Sequence, residues 1–274
     1  MRILITGASG FVGWGLEEQY AGKFEVFAPS RVELDLLDAE RVRGYLSRRR
    51  IDAVIHADTE HSNGAIGARP DLRQRNCRMF FNLVRNEHLF GGILFLSSSE
   101  VHDRARCRAK RAEDCSAAHV PSDNDGFAKC ICAKATEAME RVYEVRLFGV
   151  FGPYEDWRVR FISKACCRAV WDMPVVIRQD VLFDYMDIVD LGWALEALSK
   201  RDLCHKHYNI CTGRSFALSA LAEKVVRISG KGLGIVIQRP GMGREYSGDN
   251  ARMLDEIPRG HFRDMDGSIA DLFR

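Results

Sequence analysis

No stretch of the chain approaches the roughly 20 consecutive apolar residues that a membrane-spanning helix requires, so no membrane partner is expected. The first residues, MRILITG, enter an apolar run directly, without a basic leader or cleavage pattern, which points to a cytoplasmic protein. An excess of one charge is missing too: 40 basic side chains face 38 acidic ones, and a net +2 gives no electrostatic reason for a nucleic-acid partner. The nine cysteines include no C-x-x-C pair, two of them (Cys166 and Cys167) are adjacent, and their number is odd, so reduced and mostly buried thiols are expected rather than a disulfide framework. The eight histidines show no ligand spacing beyond His205 and His207, which lack carboxylate or cysteine partners arranged around a metal, and no metal is expected.

What is present is an ordinary soluble composition, 46% apolar and 28% charged over 274 residues, enough for one large domain or one and a half. Short apolar runs (RILIT, FEVFA, DAVIHA, ILFLSS, EVRLFGVF) alternate with stretches of helical spacing such as AERVRGYLSRR and RNCRMFFNLVRNEH. Strands alternating with helices predict an α/β fold with a doubly wound parallel sheet of Rossmann type.

The first predicted strand runs into TGASGFVG, which places Gly7, Gly10 and Gly13 in a G-x-x-G-x-x-G arrangement with Ser9, Phe11 and Val12 between them. Glycines there permit a tight turn, let backbone N–H groups approach a pyrophosphate, and let the next helix pack close to its strand. The pyrophosphate would sit on that helix's N-terminus. A purely structural strand-to-helix turn is the alternative. After the second strand, APSRVELDLLD offers Arg31 where an acidic residue would accept a ribose 2′-hydroxyl; a guanidinium suits a 2′-phosphate, which favours NADP over NAD. A solvated loop arginine is the other reading. Asp35 and Leu36 would then lie near the adenine ring.

In order and approximate spacing, TGASGFVG, ELDLLD, VIHA, FLSSSEV, DGFAK, RLFGVFGP, FDYMDIVDL and YNICTG resemble the extended short-chain dehydrogenases/reductases, the nucleotide-sugar epimerases, dehydratases and reductases, from Met1 to about residue 255. RVELDLLD is most similar to the branch of 4-keto-6-deoxy-sugar reductases and epimerase-reductases, the GDP-fucose synthases among them. The resemblance implies a Rossmann domain over 1–152, a smaller substrate lobe over 153–274 with a segment near 181–211 returning to the main sheet, a nucleotide-sugar substrate and a homodimer. It places Ala57 along the cofactor, followed by Asp58 where small residues are usual.

The same resemblance sets the catalytic positions. Ser98, at the end of the fourth strand, takes the hydroxyl position, with Glu100 close behind it toward the substrate. The family's Y-G-F-[SA]-K aligns with Asp125, Gly126, Phe127, Ala128 and Lys129, so the lysine is kept and the tyrosine is replaced by Asp125. A rival alignment, with Phe127 and Ile131 in the two roles, discards both the glycine and the lysine. In the family the tyrosine exchanges a proton with the substrate oxygen, and the neighbouring ammonium favours its ionised form. Aspartate starts from a pKa of roughly 3.9, and Lys129 one turn later should lower it, giving an anion that accepts a proton better than it donates one. Two readings of Asp125 stay open: half of an i,i+4 pair that starts a helix, or a carboxylate base in an altered site. Gly149 stands where many relatives carry a substrate-contacting asparagine, and Arg244, Tyr246 and Arg252 fall where diphosphate or base contacts are expected, a polar surface loop being the other reading. The function implied is an NADP-linked nucleotide-sugar oxidoreductase or epimerase; the alternative is a cofactor-binding pseudoenzyme serving as a regulatory or scaffold subunit. The basic clusters at 47–50 and 103–114 read as solvated surface.

Overall fold

The computed structural model describes residues 1–60, 71–101, 109–116, 120–257 and 262–274, with every side chain among them except those of Glu100, Cys115, Ser116 and Asp125. Its centre is a six-stranded parallel sheet in the order β2 (Glu25–Phe27), β1 (Arg2–Thr6), β3 (Ala53–His56), β4 (Ile93–Ser98), β5 (Val142–Leu147), β9 (His207–Ile210). Strands covered on both faces read as continuous apolar runs, as Ala53–His56 does with all four residues buried.

Side-chain alternation sends successive residues to opposite faces. Ile3, Ile5, Leu94, Leu96 and Val145 pack under α1 (Phe11–Tyr20) and α6 (Ile188–Ser199), through Leu16, Tyr20, Leu191 and Leu195. Leu4, Val54, Ile93 and Phe95 pack on the other face under α2 (Ala39–Ser47), α3 (Leu72–Val84) and α4 (Asn124–Thr136). Asp38 accepts hydrogen bonds from Glu40 N and Arg41 N at 3.1 Å to start α2, and Asp123 accepts from Gly126 N at 2.8 Å to start α4.

The C-terminal part adds a three-stranded sheet of β10 (Ser215–Ala217), β8 (Leu182–Asp187) and β6 (Gly149–Phe151), and a parallel pair of β7 (Val175–Asp180) with β11 (Ile235–Met242). Helices α5 (Phe161–Val170), α7 (Leu218–Ser229) and α9 (Met265–Phe273) close a third core around Ile162, Val175, Leu221 and Ile269. Between these segments the chain returns to the main sheet, where β9 pairs with β5, and α8 (Ala251–Glu256) packs beside β9. No described helix is long and apolar enough to cross a membrane.

Candidate active site

From β1 the chain turns one way to β2 and comes back to β3 on the other side, so a crevice opens between the carboxyl ends of β1 and β3. Gly7 leaves β1 with φ +75°, a conformation that favours glycine, and Gly10 N donates to Gly7 O at 2.9 Å to close the turn. A Cβ on Gly13 would stand 2.2 Å from Gly7 O, so only glycine lets α1 approach the turn this closely. Ser9 and Gly10 are exposed at the head of α1, Phe11 and Val12 are half-buried in its first turn, and Ala57 N is bonded to Thr6 O at 3.2 Å on the facing strand. The cradle therefore has the shape a pyrophosphate needs, with N–H groups at a helix start and no side chain in the way.

Thr6 Oγ1 meets His56 Nδ1 at 2.7 Å, tying β1 to β3 directly below the crevice. Burial pushes the His56 imidazole down to about 4, so it is neutral at physiological pH. Arg31 is exposed and bridges two acids, Glu60 at 3.2 Å and Asp35 at 3.9 Å. Glu60 in turn binds Arg75 bidentately at 2.6 and 2.7 Å, a pairing the sequence reading did not foresee. Leu36 is buried in the second core cluster and its carbonyl accepts from Asn82, so its side chain serves the core while Asp35 stays at the crevice. Asp58 sits with its backbone 2.7 Å from where a Gly7 Cβ would be. Burial raises its pKa, Glu60 and Asp35 add to the rise, and Arg31 opposes it.

At the other end of the crevice, Ser98 closes β4 opposite Leu147 of β5 and shares the α1 face with Leu94 and Leu96. The next residues, Ser99–Val101, form one helical turn against which α4 packs, and Lys129 on α4 is buried, 8% exposed. Asp125 is the second residue of α4; its side chain, that of Glu100 and the first half of the basic loop at 103–114 lie outside the described residues. The fold thus brings the strand end of Ser98 and the helix of Lys129 together. A residue with no assigned place beside them is Ser99, whose hydroxyl donates a short hydrogen bond to the Tyr246 phenol oxygen.

Two substrate candidates have structural neighbours of their own. A Cβ on Gly149 would come within 2.8 Å of the Phe183 and Tyr185 rings and 2.7 Å of Asp184 O, so glycine is what lets β6 lie against β8 here. Arg252 is already committed to Asp114 and, at 3.7 Å, to Glu113. Asp114 is exposed, whereas Glu113 belongs to a buried polar layer. In it Arg146 pairs with Glu144 at 2.8 Å, His207 Nδ1 meets Glu144 at 2.7 Å, and Asn209 N donates to Glu113 at 2.9 Å. Burial alone would raise the Glu144 pKa, but Arg146 and His207 outweigh it and hold the carboxyl below its ordinary value.

This layout, a glycine turn at the switch point with a serine and a lysine further along the same sheet edge, can be set beside known proteins. A model of the NAD dependent epimerase/dehydratase family matches residues 3–211. The chain belongs to this family. GDP-L-fucose synthase of Azorhizobium caulinodans is 44% identical over 259 residues, covering 84% of this chain and 81% of that protein. GDP-6-deoxy-D-mannose reductase of Pseudomonas aeruginosa is 25% identical over 279 residues, covering 93% and 90%. Among solved structures, a GDP-L-fucose synthetase from Naegleria fowleri bound to NADP superposes with a TM-score of 0.82 at 15% identity, covering 99% of this chain and 91% of that one. Family membership makes the chain one of a group of dinucleotide-dependent enzymes, and the superposition agrees with the Rossmann sheet described above.

Proposed function

We propose that the protein is an NADP-linked reductase or epimerase acting on a GDP-bound 4-keto-6-deoxy sugar. The observation that carries this reading is the Gly7–Gly13 cradle, filled by any larger residue at 13, with Arg31 at the end of the second strand. The names of the curated relatives support the GDP sugar, and the bound nucleotide of the Naegleria structure supports NADP.

When bound, the dinucleotide supplies or takes up the hydride. The chain's own groups do the rest. N–H groups at the head of α1 hold the pyrophosphate, and Arg31 counters the 2′-phosphate. Arg31's present acid contacts are exposed and weak, so moving it to a phosphate costs little. Lys129 holds the nicotinamide ribose and keeps positive charge beside the reacting oxygen, while Ser98 orients the substrate carbonyl. An aspartate at position 125 is suited to accept protons rather than to donate them, so turnover through that position alone should be slow, by about a hundred- to ten-thousand-fold.

A second reading, a cofactor-binding subunit without turnover, is favoured by Asp58, a carboxyl at the pyrophosphate end where phosphate repels it. Incubating the protein with NADPH and a panel of nucleotide-linked 4-keto sugars separates the two. Consumption of NADPH with a GDP sugar supports the enzyme reading, and binding of NADPH with no consumption across the panel supports the subunit.

A further inference from the structure

We propose that Tyr246, brought to the reaction end of the sheet by the C-terminal segment, is the phenol that protonates the substrate oxygen in place of the residue missing at position 125. The proposal rests on the reductase reading and names the proton donor that reading lacks.

Position comes first. Seven tyrosines occur in the chain, and Tyr246 is the one whose hydroxyl meets the end of β4, through Ser99 next to Ser98. The others are engaged elsewhere. Tyr20 donates to Gly192 O at 2.7 Å, Tyr208 to Glu256, and Tyr154 stacks on Trp14. Tyr45 lies under Arg49, Tyr143 sits by Lys206, and Tyr185 is buried against Phe151 and Phe183.

Tyr246 is also held firmly. Its N–H donates to Leu182 O at 2.8 Å and its carbonyl accepts from Asp184 N at 3.0 Å, which fixes it to β8. On the other side Arg111 N donates to Ser247 O at 3.2 Å and Asp249 N to Arg111 O at 2.9 Å. The ring packs against Phe183 at 4.5 Å and Phe148 at 5.5 Å, tilted to both. A reacting group needs such rigid support if it is to stay within reach of its target.

The two departures from the family pattern then become one. An asparagine at position 149 would place its Cβ 2.8 Å from the Phe183 ring, the same ring against which Tyr246 packs. Glycine at 149 makes room for the aromatic cluster, and the cluster delivers a phenol to a site whose own tyrosine is gone.

The chemistry is suited to donation. Ser99 donates to the phenol oxygen, and a hydrogen-bond donor there favours the ionised form. A bound reduced nicotinamide would supply the hydride to the substrate carbonyl carbon, with the carbonyl π pair moving to oxygen. That oxygen forms its O–H bond as the Tyr246 O–H breaks; ketone becomes alcohol, nicotinamide is oxidised, and water returns a proton to the phenolate.

Tyr246→Phe keeps the ring and its packing, so the variant should fold with an unchanged melting temperature. With NADPH and the GDP-linked 4-keto sugar, kcat should fall about a hundredfold or more while KM and NADPH affinity stay within about threefold. A kcat within about threefold of wild type overturns the proposal. Phenolate absorbance, followed by pH titration of the NADP-bound protein, does not depend on turnover. One tyrosine should ionise below the ordinary value of about 10, and that step should vanish in Tyr246→Phe. If no such step exists in the wild-type protein, the proposal fails even where turnover is found. If the wild-type protein turns over nothing, the reductase reading fails, and a persisting Tyr246 step still marks the phenol as activated.

Discussion

At the pyrophosphate end of the crevice, the shaping residues come from two adjacent strands and the turns that follow them, Gly7–Gly13 and Ala57–Glu60. At the reaction end they come from β4, α4, β8 and a segment 147 positions further along, where Ser99 meets Tyr246. The first end is specified by local backbone geometry, since a Cβ at residue 13 would strike the turn six residues earlier. The second is specified by tertiary packing, in which no short stretch of sequence contains the site. A motif can be read whole at the first end, while at the second the neighbours come from wherever the fold brings them.

The largest expected effect strikes the packing on which the reaction end stands. Arg146→Met leaves the Glu144 carboxylate buried without its guanidinium partner, and removing one member of a buried pair costs about 3–5 kcal/mol. Denaturant unfolding should show that loss, and a change below about 1 kcal/mol would mean the polar layer does not support β5.

Next come two buried titrating groups, His56 below the crevice and Glu155, which accepts from Ser163 of α5, and they pull in opposite directions. Unfolded His56 binds a proton near 6.5 and the folded ring resists to about 4, so its contribution to stability is lost as pH falls through that window. Burial pushes the Glu155 carboxyl from 4.5 up to about 7, so the folded state holds the extra proton and stability falls as pH rises between those values. Each is worth up to about 3 kcal/mol, and they offset between about pH 4.5 and 6.5. Guanidinium midpoints for His56→Asn should therefore decline as pH rises from 4.5 to 7, and those for Glu155→Gln should climb from 4 to 6.5. Parallel profiles for the two variants would break the contrast.

Gly13→Ala sharpens it at the local end. The added methyl forces α1 away from the turn, costing about 1–3 kcal/mol and at least about tenfold in dinucleotide affinity, read by thermal melts and titration. Smallest is Arg31→Ala, where the exposed pairs add little to stability, so melting should not move while NADPH affinity falls about tenfold and NADH affinity does not.

The sequence reading follows the same division. RILIT, DAVIHA and ILFLSS announced a parallel sheet because buried strands are continuously apolar, and TGASGFVG announced the turn because its glycines lie within seven residues. The helix start at DGFAK came from the resemblance and from the Asp125–Lys129 spacing; its capping residue, Asp123, was not foreseen. What lay beyond sequence was every partnership made across the chain: Glu60 with Arg75, Arg252 with Glu113 and Asp114, Tyr246 with Ser99. Tyr246 was singled out only as part of a polar stretch, since nothing in residues 239–257 shows that β8 will carry that stretch to the end of β4.

The most direct test of the account is a binding titration of the purified protein with NADPH and, separately, with NADH. Micromolar NADPH binding, about tenfold or more tighter than NADH and losing that preference in Arg31→Ala, is the predicted result. Failure of either nucleotide to bind would contradict the account at the end of the crevice that the sequence specifies best.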